Sequence, residues 1–358
     1  MVMTKGPHSV APSVTIVVVP WQHYSQTKPS LESIYAFTQP PFELIYVDGN
    51  APPYVQRYLQ EQARARGFTL IRRDRYLTTT EAQNLALPHI QTDYVAFVEN
   101  WVLVTPGWLS SLMRCAEEEQ AWVVEPLYCT GELRRPIVYS AAPELRIVEE
   151  NGARHLHETA PLAGKLLADV RGGLKRTTCG YAKSHCMLVR KDVLDRLGAF
   201  DESFTSYQGH RDFSLDVHAA GGSLYAEPNA VVVLAGPPPF AWSDVPLFLL
   251  RWSDAWLQPS IRRFAQKWRI PEDDHMLQGG VRFRNSERRK MFQLVQRVAG
   301  RLLGWRGRRL VDACIDAFFE RLLEPTIIAR LERTRLRGRL VTAATSPLTM
   351  TSSVKADG

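Results

Sequence analysis

Residues Tyr94–Leu109 read YVAFVENWVLVTPGWL. The apolar run Tyr94–Val98 has the character of a strand buried on both faces. Glu99-Asn100 makes an acidic turn, and a second apolar run follows it. Thr105-Pro106-Gly107 breaks that run, and Trp108-Leu109 opens a helix. A carboxylate at the carboxyl end of a buried strand stands where open α/β sheets bind ligands. The rest of the chain can be read as supplying the other walls of that site.

Upstream, Val14–Val19 is a β-branched run that Pro20 ends, and Phe42–Val47 is a second buried strand with Asp48 directly after it. Helical spacing covers Leu31–Thr38, then Tyr54–Arg66 with Gly67 as its stop, then Glu81–Leu87 up to Pro88. Phe68–Ile71 is a third strand, which makes Tyr94–Val98 the fourth. Strands alternating with helices of this length indicate βαβ units and a doubly wound sheet. Downstream of Val124 the pattern loosens: Leu127–Thr178 reads as a lid, an insertion, or surface loops with some antiparallel strand. Cys186–Val189 (strand), Lys191–Leu197 (helix), Asp212–Ala220 (helix) and Ala230–Leu234 (strand) complete the domain, which Pro237-Pro238-Pro239 closes.

The chain has 358 residues, 45% of them hydrophobic and 23% charged, with net charge +7. That suits one large α/β domain plus an appendage. Basic residues outnumber acidic ones from Arg282 to Arg339, so the positive charge belongs to a C-terminal element. The expected organisation is a disordered leader at 1–12 and a domain at 13–240 in two halves, 13–125 and 126–240. A basic helical extension follows at 241–340, broken at Gly304, Gly307 and Pro325, and then a disordered tail at 341–358. The five cysteines are irregularly spaced without a CxxC pair, which suggests reduced thiols and a cytoplasmic protein. No secretory h-region and no run of about 20 apolar residues occurs.

VTIVVVP (14–20), FELIYVD (42–48), YVAFVENWVLVTPGWL, LGAFDESF (197–204) and GHRDFSLDVHAAGG (209–222) together resemble the family-2 inverting glycosyltransferases. The resemblance covers roughly residues 14–240. It implies the GT-A fold, a Rossmann-like, doubly wound mixed sheet with helices on both faces, here extended by C-terminal helices. It also implies a hexosyltransferase-type enzyme of glycan, glycolipid or polysaccharide biosynthesis. Such an enzyme moves a sugar from a nucleotide-diphosphate sugar to an acceptor hydroxyl, and the resemblance makes 13–125 the nucleotide-sugar half and 126–240 the acceptor half.

By that resemblance Asp48 binds the nucleoside, for which an acid capping the Gly49-Asn50 turn is the structural alternative. Asn84, on the helix near the base, and Glu99 with Asn100 complete the nucleotide-sugar set. The family's Asp-x-Asp motif reads Glu99-Asn100-Trp101 here. Its metal-binding acid has become Trp101, which offers no oxygen to Mg²⁺ or Mn²⁺. The family's His after the last strand is missing from Val233-Leu234-Ala235-Gly236. A divalent cation is therefore the family expectation with its ligands largely absent, and no metal residue is assigned. On the acceptor side His210 falls at the general-base position and Asp212 keeps the following acid. An imidazole suits proton abstraction near neutrality; a surface polar role is the alternative. Arg211 is a candidate to offset diphosphate charge in place of a metal.

Elsewhere, His155-x-His157 has the spacing of two side chains on one face of a strand but no third ligand. The basic helices, with Met291, Phe292, Leu294 and Val295 among arginines, fit either packing on the core or contact with the inner face of an anionic membrane, where a glycan or lipid-linked acceptor would be found. No nucleic-acid module and no Walker A, GxGxxG, HExxH or GxSxG motif occurs. The substitutions at the metal and base positions also leave open a catalytically degenerate member that serves as a binding or scaffold module.

Overall fold

The computed structural model describes residues 13–132, 134–236 and 241–345. The expected leader, the Pro237–Pro239 closure and all but five residues of the expected tail lie outside the described residues.

The first half runs β1 (Val14–Val19), α1 (Thr27–Phe37), β2 (Glu43–Gly49), α2 (Pro53–Arg66), β3 (Thr69–Arg73), α3 (Thr79–Ala86), β4 (Tyr94–Glu99), β5 (Val102–Val104) and α4 (Trp108–Glu118). Gly67 ends α2 in the left-handed region at φ 76°. Thr78 and Glu81 form a capping box at the start of α3. Then come β6 (Val123–Thr130), β7 (Ile137–Ser140), β8 (Glu144–Glu150), β9 (Ala153–Thr159), the short α5 (Leu167–Val170), β10 (Thr177–Thr178), β11 (Cys186–Arg190), α6 (Lys191–Leu197), α7 (Gln208–Ala219) and β12 (Leu224–Leu234).

Ten strands form one mixed sheet in the order β10-β12-β6-β11-β4-β1-β2-β3, with β5 on β12 and β7 on β6. β3, β2, β1 and β4 are mutually parallel, and β11 runs antiparallel to β4 and to β6. Alternate strand residues serve opposite faces, as the period of two requires. Ile16, Val18, Ala96 and Val98 pack with Leu31, Val55, Trp108 and Leu112 from α1, α2 and α4. Val17, Val19, Val95 and Phe97 pack with Ala82, Val193 and Phe213 from α3, α6 and α7. This is the doubly wound sheet, covered on both faces, that the strand–helix alternation predicts.

Two elements are longer than the sequence signals suggested, and β6 is a strand where the pattern was read as loosening. β6 continues past Pro126 to Thr130, and β12 begins six residues before Ala230, through Pro228. Both prolines sit by one irregularity in the β6–β12 pairing, between Glu227 and Val231, which removes the need for the missing N–H. α7 begins at Gln208 rather than Asp212, so His210 lies in its first turn. The loose region contains a separate hairpin, β8 with β9.

The C-terminal part is helical: α8 (Val245–Arg251), α9 (Asp254–Trp268), α10 (His275–Lys290), α11 (Gln293–Phe318), a π-helical stretch Phe319–Ile328 around Pro325, and α12 (Ala329–Thr345). α11 breaks at Gly304, as expected. Gly307 does not break it, and α12 continues through Val341–Thr345 where a tail was expected. No described helix is long and apolar enough to cross a membrane.

Candidate active site

The strand order reverses between β1 and β4, so the crevice beyond their carboxyl ends is where this sheet can hold a ligand. Glu99 ends β4 there, fully buried. It accepts hydrogen bonds at one oxygen from Ser184 Oγ (2.9 Å) and at the other from Trp101 Nε1 (2.9 Å), and its second oxygen also lies 2.6 Å from His185 Nδ1. His185 is brought there by register. β11 runs antiparallel to β4 with Cys186 opposite Val98, so the residue before β11 faces Glu99. The imidazole is boxed by ring edges of Trp21 and Trp101 at 5.2 and 5.4 Å.

Asn100 is buried and turned inward. Its Oδ1 accepts from Trp21 N (2.9 Å) and its Nδ2 donates to His23 O (3.3 Å), so it fixes the loop after β1. Asp48 ends β2, accepts from Ala51 N (2.9 Å) and pairs with Arg72. Burial raises its pKa, and the Ala51 N–H and Arg72 oppose that rise. Asp48 therefore caps the turn after β2, which was the structural alternative. Asn84 faces away from the crevice. Its Nδ2 donates to Phe200 O (2.8 Å) and Glu202 (3.1 Å), and its Oδ1 accepts from Phe200 N (2.9 Å), so it clamps the Phe200–Glu202 turn.

A cavity of about 760 Å³ opens beside Trp21, His23, Trp101 and His185 and extends between the sheet and α10. Tyr139, Tyr181, Tyr207 and Trp252 give it aromatic walls, and Glu158, Lys183, His210 and Arg211 give it charge and polarity. His210 stacks on Tyr181 at 5.7 Å, and its Nδ1 is buried without a hydrogen-bond partner. Burial lowers its pKa well below the usual histidine value, and the neighbouring Lys183 and Arg211 add to the shift, so the ring is neutral at neutral pH. Arg211 is paired with Glu158, which also accepts from Tyr181. Lys183 Nζ donates to the Tyr181 hydroxyl at 2.6 Å.

Asp212 does not join His210 at the cavity. Two residues on along α7 it points the other way, accepting from Lys267 Nζ (2.9 Å) and Trp268 Nε1 (2.8 Å) of α9. Burial raises its pKa to about 6. Of the expected site residues, His210 lines the cavity; Glu99 is buried behind Trp101 and His185, which do line it, Asn100 is buried in holding the loop after β1, Asp48 caps the turn after β2, and Asn84 and Asp212 hold elements together. His155 and His157 do not share a ligand; they face Asp274 (3.1 Å) and Glu150 (3.6 Å) separately.

The glycosyl transferase family 2 model matches residues 15–198, just over half of the chain. The chain belongs to glycosyl transferase family 2. Its mixed sheet is the GT-A arrangement. Among solved structures, GalNAc-T7 with UDP, GalNAc and Mn²⁺ is 12% identical with a TM-score of 0.49. That match covers 78% of this chain and 55% of GalNAc-T7, so the chain spans little more than half its length. The mannosyltransferase PcManGT from Pyrobaculum calidifontis, with GDP-Man and Mn²⁺, is 15% identical with a TM-score of 0.46, covering 95% of this chain and 91% of that one. S. aureus TarS is 12% identical, TM-score 0.46, covering 78% and 43%. No curated protein sequence matches the chain.

The residues of this family-2 member do not fit the divalent cation expected of the family. Both Glu99 oxygens are taken by side-chain donors, and one of those donors is Trp101 at the position of the metal-binding acid. Among the described residues no group of three or more His, Cys, Asp or Glu side chains could hold a metal. Sequence reasoning missed His185, Ser184, Lys183 and Tyr181. Their signal was present in Tyr181–His185, the segment leading into the β11 run, but it became readable only through the antiparallel pairing with β4.

Proposed function

We propose that this family-2 transferase moves a sugar from a nucleotide-diphosphate sugar to an acceptor hydroxyl with inversion at the anomeric carbon. The observation that carries the reading is the 760 Å³ aromatic cavity opening at the strand ends beside Glu99. A space of that size takes a sugar together with an acceptor, and its few polar groups orient them.

In this reading Asp48 holds the nucleoside, and Asn100 keeps the loop after β1 in the shape that receives it. Glu99, held by His185, Ser184 and Trp101, positions the Trp101 and His185 rings against which the donor sugar or ribose lies. The neutral His210 takes the proton of the acceptor hydroxyl as that oxygen attacks the anomeric carbon from the face opposite the nucleotide. The bond from that carbon to the diphosphate oxygen breaks, and the nucleotide leaves with the added negative charge. Lys183 offsets that charge: its Nζ is at the cavity on the Tyr181 hydroxyl, and although burial lowers its pKa, Glu125 and Glu158 favour the ammonium. The aromatic walls suit the apolar faces of a glycan or of a lipid-linked sugar acceptor.

The test is calorimetric binding of a panel of UDP-, GDP- and dTDP-sugars, followed by product analysis with the donor that binds. Binding with transfer that His210→Ala abolishes supports the reading. A folded protein that binds none of the panel overturns it and favours a non-catalytic module of the same fold.

A further inference from the structure

α11 is 26 residues long, yet only Gly307 and Ile315 of it are buried. It is not one rod. At Gly304 (φ 65°, ψ −155°) the chain leaves helical geometry and turns back. Gln296 on the first arm then donates to Asp312 on the second, and Arg289 at the end of α10 reaches Asp312 and Asp316. The arms close tightly enough that a Cβ on Gly307 would stand 2.4 Å from Leu303 Cβ. The result is a helical hairpin. Its base is seated on the apolar cluster of Leu249, Ile315 and Phe319.

The tip of that hairpin is apolar and uncovered. Leu302, Leu303 and Trp305, which flank Gly304, are 77%, 66% and 65% exposed. Leu294, Val298 and Leu310 continue the exposed apolar surface down both arms. Isolated exposed leucines are ordinary, but a cluster of large side chains at a protruding tip marks an interaction surface. The charge pattern says with what. Residues 293–311 carry five arginines and no acidic residue. Arg306 and Arg309 lie 5.5 and 5.8 Å from the Trp305 ring, so cations surround the apolar tip. A second copy docked on this face would bring its own arginine row against the first. An anionic bilayer offers the complement to both features: acyl chains for the tip, and headgroup phosphates for the arginines, with tryptophan at its preferred interfacial level.

We propose that the hairpin turned at Gly304 is a membrane-docking element, which seats its Leu302–Trp305 tip in the interface of an anionic bilayer. It does not depend on the transfer reaction proposed above. It does place the enzyme where a lipid-linked acceptor is found.

The experiment is co-sedimentation of the full chain with phosphatidylcholine vesicles and with vesicles of equal parts phosphatidylcholine and phosphatidylglycerol. The expected result is binding to the anionic vesicles that weakens as salt is raised. Leu302→Glu/Leu303→Glu/Trp305→Glu should abolish it, and Arg301→Gln/Arg308→Gln/Arg309→Gln should weaken it on the order of a hundredfold. Both sets of changes lie on exposed side chains, so helicity by circular dichroism should stay at the wild-type level. Equal binding by the wild type and the tip variant, or no binding to anionic vesicles, overturns the proposal. So does a wild-type dimer that the tip variant converts to monomer without any vesicle binding. Donor binding in solution is measured on the same variants; its absence in all of them, wild type included, would count against the transferase reading and leave the docking result standing.

Discussion

Nδ1 of His185 lies 2.6 Å from Oε2 of Glu99, across the antiparallel pair that β11 makes with β4. The contact links the acid at the end of a parallel strand to the segment leading into the strand that reverses the sheet. Trp101 and Ser184 complete the set, so that three side chains surround the buried Glu99 carboxylate.

Glu99→Gln conserves volume but turns an NH₂ group toward donors. One of the donors then loses its partner inside a buried site, at a cost of about 1–3 kcal/mol. Transfer is expected to fall by ~100-fold, because Trp101 and His185, which line the cavity, lose the acid that positions them. Thermal melts and initial rates check both. A variant with wild-type rates would remove Glu99 from the site.

Chelation should leave the reaction running. Transfer in excess EDTA is expected within about twofold of transfer in Mn²⁺, because the described residues include no group of three or more His, Cys, Asp or Glu side chains that could hold a hard cation. Trp101→Asp returns a carboxylate to that position and releases one donor from Glu99. It should therefore gain Mn²⁺ binding, which titration followed by electron paramagnetic resonance would detect. A wild-type rate that collapses in EDTA and returns with Mn²⁺ contradicts this account.

His210 makes stability depend on pH with a definite sign. Its folded pKa lies below the unfolded value of about 6.5, chiefly because burial disfavours the cation. Between the two values the unfolded chain binds the proton and the folded chain does not. Stability therefore rises with pH across that window and is lost as pH falls below about 6.5, by up to ~1.4 kcal/mol per pH unit. Chemical denaturation at a series of pH values should show this slope in the wild type and a shallower one in His210→Gln. Equal slopes would mean that the ring is solvated.

α12 is tied to the first half of the sheet by a buried ion pair. Arg335 Nη1 lies 3.1 Å from the Glu81 carboxylate, and both side chains are 2% exposed. Arg335→Ala leaves Glu81 with Arg75 as its nearest remaining cation and should cost about 3 kcal/mol. Arg335→Met should cost less, since it fills the space left by the guanidinium. Denaturant titration gives the energies, and limited proteolysis should cut 329–345 first in Arg335→Ala. Unchanged stability would show the pair to be dispensable.

Much of the domain was legible beforehand, because a parallel strand buried on both faces is an apolar run bounded by turn residues. β1, β2, β4 and α4 needed no tertiary information. β6 was not read as a strand and β12 only from Ala230; Pro126 and Pro228 argue against a central strand unless a bulge accommodates them, and a bulge belongs to the pairing rather than to one strand. Among the candidate site residues, Glu99 and Asp48 were legible as acids at strand ends. Asn84 and Asp212 were not separable from site residues, because the direction of a helical side chain depends on where the helix starts and what it packs against.

The sequence by itself determined the alternation of strands and helices, the acid ending β4, the tryptophan two residues beyond it and the basic character of the C-terminal helices. These are local facts, carried by residue type and spacing. Only the tertiary structure decided that Ser184 and His185 complete the Glu99 site, that His210 but not Asp212 faces the cavity, and that α11 turns back at Gly304 into a hairpin with an apolar tip. Each of these depends on register, helix phase or a backbone turn, quantities set by the free energy of packing distant segments together and invisible in any one of them.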